Sequence, residues 1–202
     1  MLNNAELPSL IDPNKFRNIK NFIDCIYDIF MEDFNPNSPK LSFCAMPIMA
    51  RNKILNCSNC GNKCNNTLFE CKICPFIEKL DIFQHICSDE DKNLKVLPEY
   101  KRKNNRTPGI YNRVRASKVK WLKYMIENYQ NEKIIRYYNK KGPDGKLNHY
   151  FWLFKEHYIL ILVEEKNSLF IRTCYDIKSD SDERKHYAYY MKYNKALEKE
   201  CT

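Results

Sequence analysis

Three apolar runs crowd the last third of the chain and limit its fold more than any other feature. They are Asn148–Phe154 (NHYFWLF), Tyr158–Val163 (YILILV) and Ser168–Tyr175 (SLFIRTCY). Turn chemistry separates these strand-length runs, so they predict an antiparallel meander. Lys133–Tyr138 reads as a strand leading in. Gly142-Pro-Asp-Gly145 then forms a turn in which Pro presets one backbone angle and Gly accepts the other. The runs are almost continuously apolar, which predicts helices over much of the sheet.

Helical signals flank this unit. Asp12-Pro13 pairs an N-cap with a proline suited to the first helical position, and Phe16, Ile19, Phe22, Ile23, Ile26, Tyr27 and Phe30 recur at helical spacing. A helix from there to near Phe34 follows. Leu41–Ala50 reads as a strand that Pro47 interrupts or places at an edge. Phe76–Cys87 reads as a short helix. Val119, Leu122, Ile126 and Tyr129 mark a helix ending near Gln130. A last helix begins at Ser179–Glu183 with Tyr187, Tyr190, Met191 and Leu197 facing inward. The expected class is α+β: helices on a small antiparallel meander, arranged as one compact domain. Residues 1–56 supply its first helix and strand, 57–75 a cysteine-rich insert, and 76–202 the remaining core. An apolar content of 44% argues against disorder. No run is long enough to span a bilayer, and no basic head precedes an apolar stretch at the N-terminus. A cytoplasmic protein with no membrane partner is expected.

The net charge is +9, and its distribution is informative. No acidic residue lies between Glu99 and Glu127, whereas Lys101, Arg102, Lys103, Arg106, Arg113, Arg115, Lys118, Lys120 and Lys123 do. Such a segment attracts polyanions by releasing their condensed counterions. Tyr111, Trp121 and Tyr124 interleave the charges and can stack on bases. The plainer reading is a solvated helical face with a loop before it.

Of ten cysteines, six fall between Cys57 and Cys87. The pairs Cys57-x-x-Cys60 and Cys71-x-x-Cys74 have the spacing of a zinc ribbon, with Gly61 placed for the tight turn after the first pair. Four thiolates suit a closed tetrahedral site, so the zinc would be structural. Cys64, His85 or Cys87 can replace one ligand, and an iron–sulfur cluster is the alternative use of these thiols.

Several short motifs together resemble the phage-borne nuclease-like family grouped with barnase, EndoU, colicin RNase and RelE-type toxins. The first helix carries Ile26-Tyr-Asp-Ile-Phe30-Met-Glu-Asp33-Phe34. Phe83-Gln-His85-Ile-Cys-Ser88 is similar to the family's aromatic-x-His-x-x-Ser piece, and Arg115-Ala-Ser-Lys118-Val119-Lys-Trp121 to its Arg-x-x-Arg-Ile-x-Trp helix. Tyr158–Glu164 and Leu169–Tyr175 resemble its last two strands, and Arg184–Tyr193 its closing basic helix. The chain departs from the pattern at Lys118, which replaces an arginine, at Cys174, where a small residue is usual, and in the cysteine-rich insert.

The resemblance implies metal-independent RNA cleavage, in which a 2′-hydroxyl attacks the adjacent phosphate. In that reading His85 is the acid or base, and Arg115 and Lys118, one helical turn apart, clamp phosphate oxygens. Thr173 donates to phosphate, Glu164 or His157 is the second acid–base group, and Tyr175 and Trp121 stack a base. The bland readings are a wet face for Arg115 and Lys118, an ordinary strand residue for Thr173, exposed strand-edge histidines at His149 and His157, and a core Trp121. Three functions follow: an endoribonuclease serving as a toxin or phage effector, with an inhibitor or antitoxin as partner; a non-catalytic zinc-containing nucleic-acid-binding protein; or an inactive nuclease-like scaffold that binds protein. The cysteine spacing predicts about one zinc ion per chain. Metal analysis should show its loss in the Cys57→Ser/Cys60→Ser variant, and a metal-free native protein would refute the site.

Overall fold

The computed structural model describes residues 6–54, 75–76, 78–90 and 109–197. In chain order the elements are α1 (Ile19–Phe34), β1 (Leu41–Phe43), β2 (Met46–Met49), α2 (Asp81–Ile86), β3 (Ser88–Glu90), β4 (Gly109–Tyr111), α3 (Arg113–Ala116), α4 (Val119–Glu127), β5 (Ile135–Lys141), β6 (Leu147–Leu153), β7 (Tyr158–Glu165), β8 (Ser168–Asp176) and α5 (Asp180–Leu197). The class is α+β.

The meander is present as β5 to β8, each antiparallel to the next. It belongs to a larger mixed sheet ordered β1-β2-β8-β7-β6-β5. β1 and β2 form a hairpin whose turn puts Cys44 and Ala45 at positive φ. β2 then joins β8 in parallel, at Ile48↔Leu169 and Met49↔Phe170. Pro47 lies in β2 just before these pairs. β3 and β4 form a separate two-stranded ribbon.

Two helix starts differ from expectation. The Asp12 side chain accepts from the Asn14 amide at 2.9 Å, but Asp12-Pro13 launches only a 3-10 turn, because Phe16 is extended. α1 begins later, where Asn18 caps the Asn21 amide at 2.9 Å. The basic helix is broken between Ala116 and Val119 into α3 and α4, with Asn112 capping α3.

Strand alternation divides the sheet's side chains into two cores. Phe151, Leu160, Leu162, Leu169, Ile171 and Cys174 pack with Phe22, Ile26 and Phe30 of α1, Phe83 of α2 and Leu122 and Met125 of α4. Tyr138, Tyr150, Trp152, Ile159 and Ile161 face the other way, toward Tyr190 of α5. A bulge sets the faces of β8: Leu162 pairs with Ile171 and Ile161 with Thr173, leaving Arg172 as the extra residue. Cys174 therefore shares a face with Ile171, three positions away, and Thr173 and Tyr175 point to the α5 side.

α5 buries part of the stripe expected of it. Tyr190 is buried, and so is His186 four residues before it, whereas Tyr187 and Met191 are both 52% exposed; the Leu197 side chain lies outside the described ones. No described helix is long and apolar enough to cross a membrane.

Candidate functional site

Arg115 is the meeting point of the segments singled out by sequence. α3 is one turn long and directs this side chain into the gap between β3 and the C-terminal half of β8. Its guanidinium donates to the backbone carbonyls of Ser88 and Cys174, and Nη1 lies 3.3 Å from Asp89 Oδ1. Asn112 and Lys178 hold the other Asp89 oxygen at 2.7 and 2.8 Å. The three motif segments, 83–88, 115–121 and 169–175, thus converge.

Convergence of segments is not convergence of reactive groups. Arg115 is 5% exposed and Lys118 7%, so the wet-face reading of this pair is overturned. Lys118 pairs with Asp176, and its ammonium lies 4.9 Å from the centre of the Trp121 ring and 5.0 Å from that of Tyr158. Both cations are engaged in holding the end of β8. Within this network Arg115 Nε and Ser88 Oγ are buried without a partner among the described residues. Burial pushes the thiols of Cys87 and Cys174 up, which disfavours thiolate at neutral pH. Tyr158 donates its hydroxyl to Cys174 Sγ at 2.9 Å.

The other predicted catalytic groups lie elsewhere or face away. Thr173, half-buried, sits opposite Ile161 on the α5 side of the sheet, across from the side that Lys118 occupies. Glu164 is three residues beyond Ile161 on β7, roughly 10 Å along the strand at ~3.3 Å per residue. His85 is half-buried in the last turn of α2. His157 is exposed, at positive φ, with Nδ1 3.4 Å from Glu183.

The predicted binding residues divide similarly. Trp121 is core, its N–H donating to the Pro8 carbonyl at 2.8 Å. Arg113 is exposed and donates to Asn14 Oδ1 at 2.7 Å. Lys123 pairs with Asp33 at 3.1 Å, and Lys120 is exposed. Lys101, Arg102, Lys103 and Arg106 lie outside the described residues, as do the metal candidates Cys57, Cys60, Cys71 and Cys74 and the alternative ligand Cys64. Among the described residues, no group of three or more His, Cys, Asp or Glu side chains is placed to hold a metal ion.

Two histidine networks escaped the sequence reading. His149, expected at an exposed strand edge, is 4% exposed and faces the α1 side with Phe151. Its Nδ1 meets the Tyr137 hydroxyl at 2.6 Å and its Nε2 lies 3.3 Å from Glu164 Oε2. This carboxylate–imidazole–phenol line has the order of an acid–base relay. Its phenol is buried against Phe43, however, so the line orders the sheet interior.

The second network, on the α5 side, centres on His186. Tyr138 OH meets Nδ1 at 2.6 Å and Tyr175 OH lies 3.3 Å from Nε2. Burial, with Lys140 and Lys185 nearby, pushes this imidazole down to about 4. The i, i+4 spacing of His186 and Tyr190 was the available signal. Cations cluster here too. Lys140 sits 3.3 Å from the Tyr189 ring centre and 5.2 Å from that of Tyr150. Arg136 lies 4.7 Å from the Phe154 ring centre and 5.3 Å from that of Tyr190, and Lys192 5.2 Å from that of Tyr193.

Comparison of the chain with protein-family models, curated proteins and solved structures finds no match.

Two outcomes follow from this geometry. Arg115→Ala strips partners from two buried carbonyls and should cost about 2–5 kcal/mol in urea unfolding. A loss within about 0.5 kcal/mol, the range of ordinary surface substitutions, would restore the exposed-clamp reading. His186 binds its proton more weakly folded than unfolded. Its contribution is therefore complete above its ordinary value near 6.5 and is lost as pH falls toward 4. Stability should drop by about 2 kcal/mol from pH 7 to pH 5. His186→Phe should flatten that slope; an unchanged slope would show that this imidazole does not titrate on unfolding.

Proposed function

We propose that this chain is an RNA-binding protein that holds single strands by charge and stacking, without using Arg115, Lys118 and Thr173 to cut them. The observation that carries the reading is the array of cations seated on aromatic rings along β5 and α5: Arg136, Lys140 and Lys192 against Phe154, Tyr189, Tyr190 and Tyr193. Exposed Arg184 and Lys185 extend it along the helix. Positive charge tracks a phosphate backbone, and ring faces accept bases with little regard to sequence. The basic segment with Lys101, Arg102, Lys103 and Arg106 adds to the same attraction, and a structural zinc on Cys57, Cys60, Cys71 and Cys74 would order the insert before it. The choice of RNA rests on the nuclease-like motifs; charge and rings alone suit any single strand.

A ribonuclease is the second reading, favoured by the meeting of the His85, Arg115 and Thr173 segments around one guanidinium. It requires Arg115 to exchange the carbonyls it holds for phosphate oxygens, with His85 as acid or base. An inhibitor protein or antitoxin would then be its natural partner.

Incubation of the full chain with mixed RNA in excess EDTA separates the readings. Binding should weaken steeply with salt, by about 0.7 in the logarithmic slope for each phosphate contacted. Lys140→Ala/Lys192→Ala should lower both affinity and slope, and the RNA should stay intact. Cleavage leaving cyclic phosphate ends, abolished by His85→Ala, would move the assignment to a ribonuclease. Neither binding nor cleavage, with a stable protein complex, would leave the scaffold reading.

A further inference from the structure

We propose that α5 is a displaceable cover over a nucleobase cradle formed by Tyr138, Tyr150, Trp152 and Tyr175, with the His186 imidazole occupying the place of the base. The inference rests on the RNA-binding reading and moves its stacking rings from α5 to the sheet, because displacing α5 parts Arg136 and Lys140 from Tyr190 and Tyr189. The four ring centres stand 6.4, 6.4, 6.2 and 6.3 Å from that of His186, with planes inclined by 45–49°. They come from β5, β6 and β8, while Ile159 and Ile161 of β7 form the floor between them.

The cradle carries the chemistry of base recognition. Two tyrosine hydroxyls address the in-plane nitrogens of a small heteroaromatic ring. Trp152 Nε1, on a side chain 3% exposed, has no acceptor among the described residues, although a buried donor of this kind ordinarily finds one. Imidazole has no carbonyl oxygen to offer it, whereas uracil, cytosine and guanine do. Lys140, beside Tyr150, is placed at the rim for a phosphate.

The plainer account is a small satellite core beneath a helix, and α5 is poorly made for that. Of its described side chains only His186 and Tyr190 are buried, and Tyr187 and Met191 face solvent. By contrast, α1 buries Phe22, Ile23, Ile26, Phe30 and Phe34. Apart from Tyr190, buried with Trp152, Ile159 and Ile177, the α5 interface is made of hydrogen bonds and cation–ring contacts that a polynucleotide can replace in kind. Glu183, Arg184 and Lys185 are not buried, so the docked helix exposes them throughout.

The test uses the full chain, without chelator, and a fluorescein-labelled ten-nucleotide polyuridine. His186→Ala empties the cradle and should raise affinity about tenfold, and adding Trp152→Phe, which keeps a ring but removes the donor, should reverse most of the gain. Hydrogen exchange on the unaltered protein supplies an independent readout if His186→Ala does not fold. Bound oligonucleotide should speed exchange at α5 amides 184–193 and slow it in β5 and β6. Equal or lower affinity in a folded His186→Ala, or added protection of α5 on binding, overturns the cover while salt-sensitive binding leaves the RNA-binding reading standing. No binding by either protein removes both.

Discussion

The structure depends on how one guanidinium answers an open sheet edge. β2 reaches only Leu169 and Phe170 of β8, and no described strand pairs with the outer side beyond them. Backbone carbonyls there need donors, since buried polar groups without partners are costly. Arg115 supplies one to the Cys174 carbonyl from a one-turn helix and joins it to that of Ser88 on β3, since a planar fork with five donors can serve two carbonyls and a carboxylate together. Lys118 completes the closure through Asp176. The β3–β4 ribbon, α2 and the last strand are thereby fixed to one another.

That solution bears on function. The motif segments meet around a buried Arg that links distant backbone segments, and such a link needs the same fixed positions as a phosphate clamp. Discrimination comes from exposure and from what the donors already hold. By both measures Arg115 and Lys118 belong to the framework. On β5 and α5, by contrast, Arg136, Lys140 and Lys192 rest on rings and remain partly in water.

The two faces of the sheet are built differently. Toward α1, α2 and α4 the contacts are predominantly aliphatic and phenyl. Toward α5 tyrosine, tryptophan and histidine share the face with Ile159, Ile161 and Ile177, and two hydroxyls meet one imidazole there, against the single Tyr137–His149 bond on the first face. A dry interface of the first kind is hard to exchange for a ligand, whereas a polar aromatic one has contacts that another molecule can reproduce. The extra residue at Arg172 places Thr173 and Tyr175 on that second face, by shifting the alternation of β8.

The sequence by itself determined the α+β class, the meander and its Gly142–Gly145 turn, and the aromatic stripe of α1. These rest on local signals: periodicity, turn residues and length. It could not determine that β2 joins β8 in parallel, that a bulge separates Thr173 from the face of Cys174, or that Arg115 and Lys118 are buried. Helical spacing alone grouped Tyr187 and Met191 with Tyr190 and Leu197 as the inward side of α5, and of these the structure buries Tyr190 and exposes Tyr187 and Met191, because spacing does not say which part of a face is covered. Strand pattern likewise left His149 at an edge until Tyr137 and Glu164 were seen on either side of it. Those outcomes depend on pairings between residues far apart in the chain, and only the tertiary structure decides which partner reaches each donor and each ring.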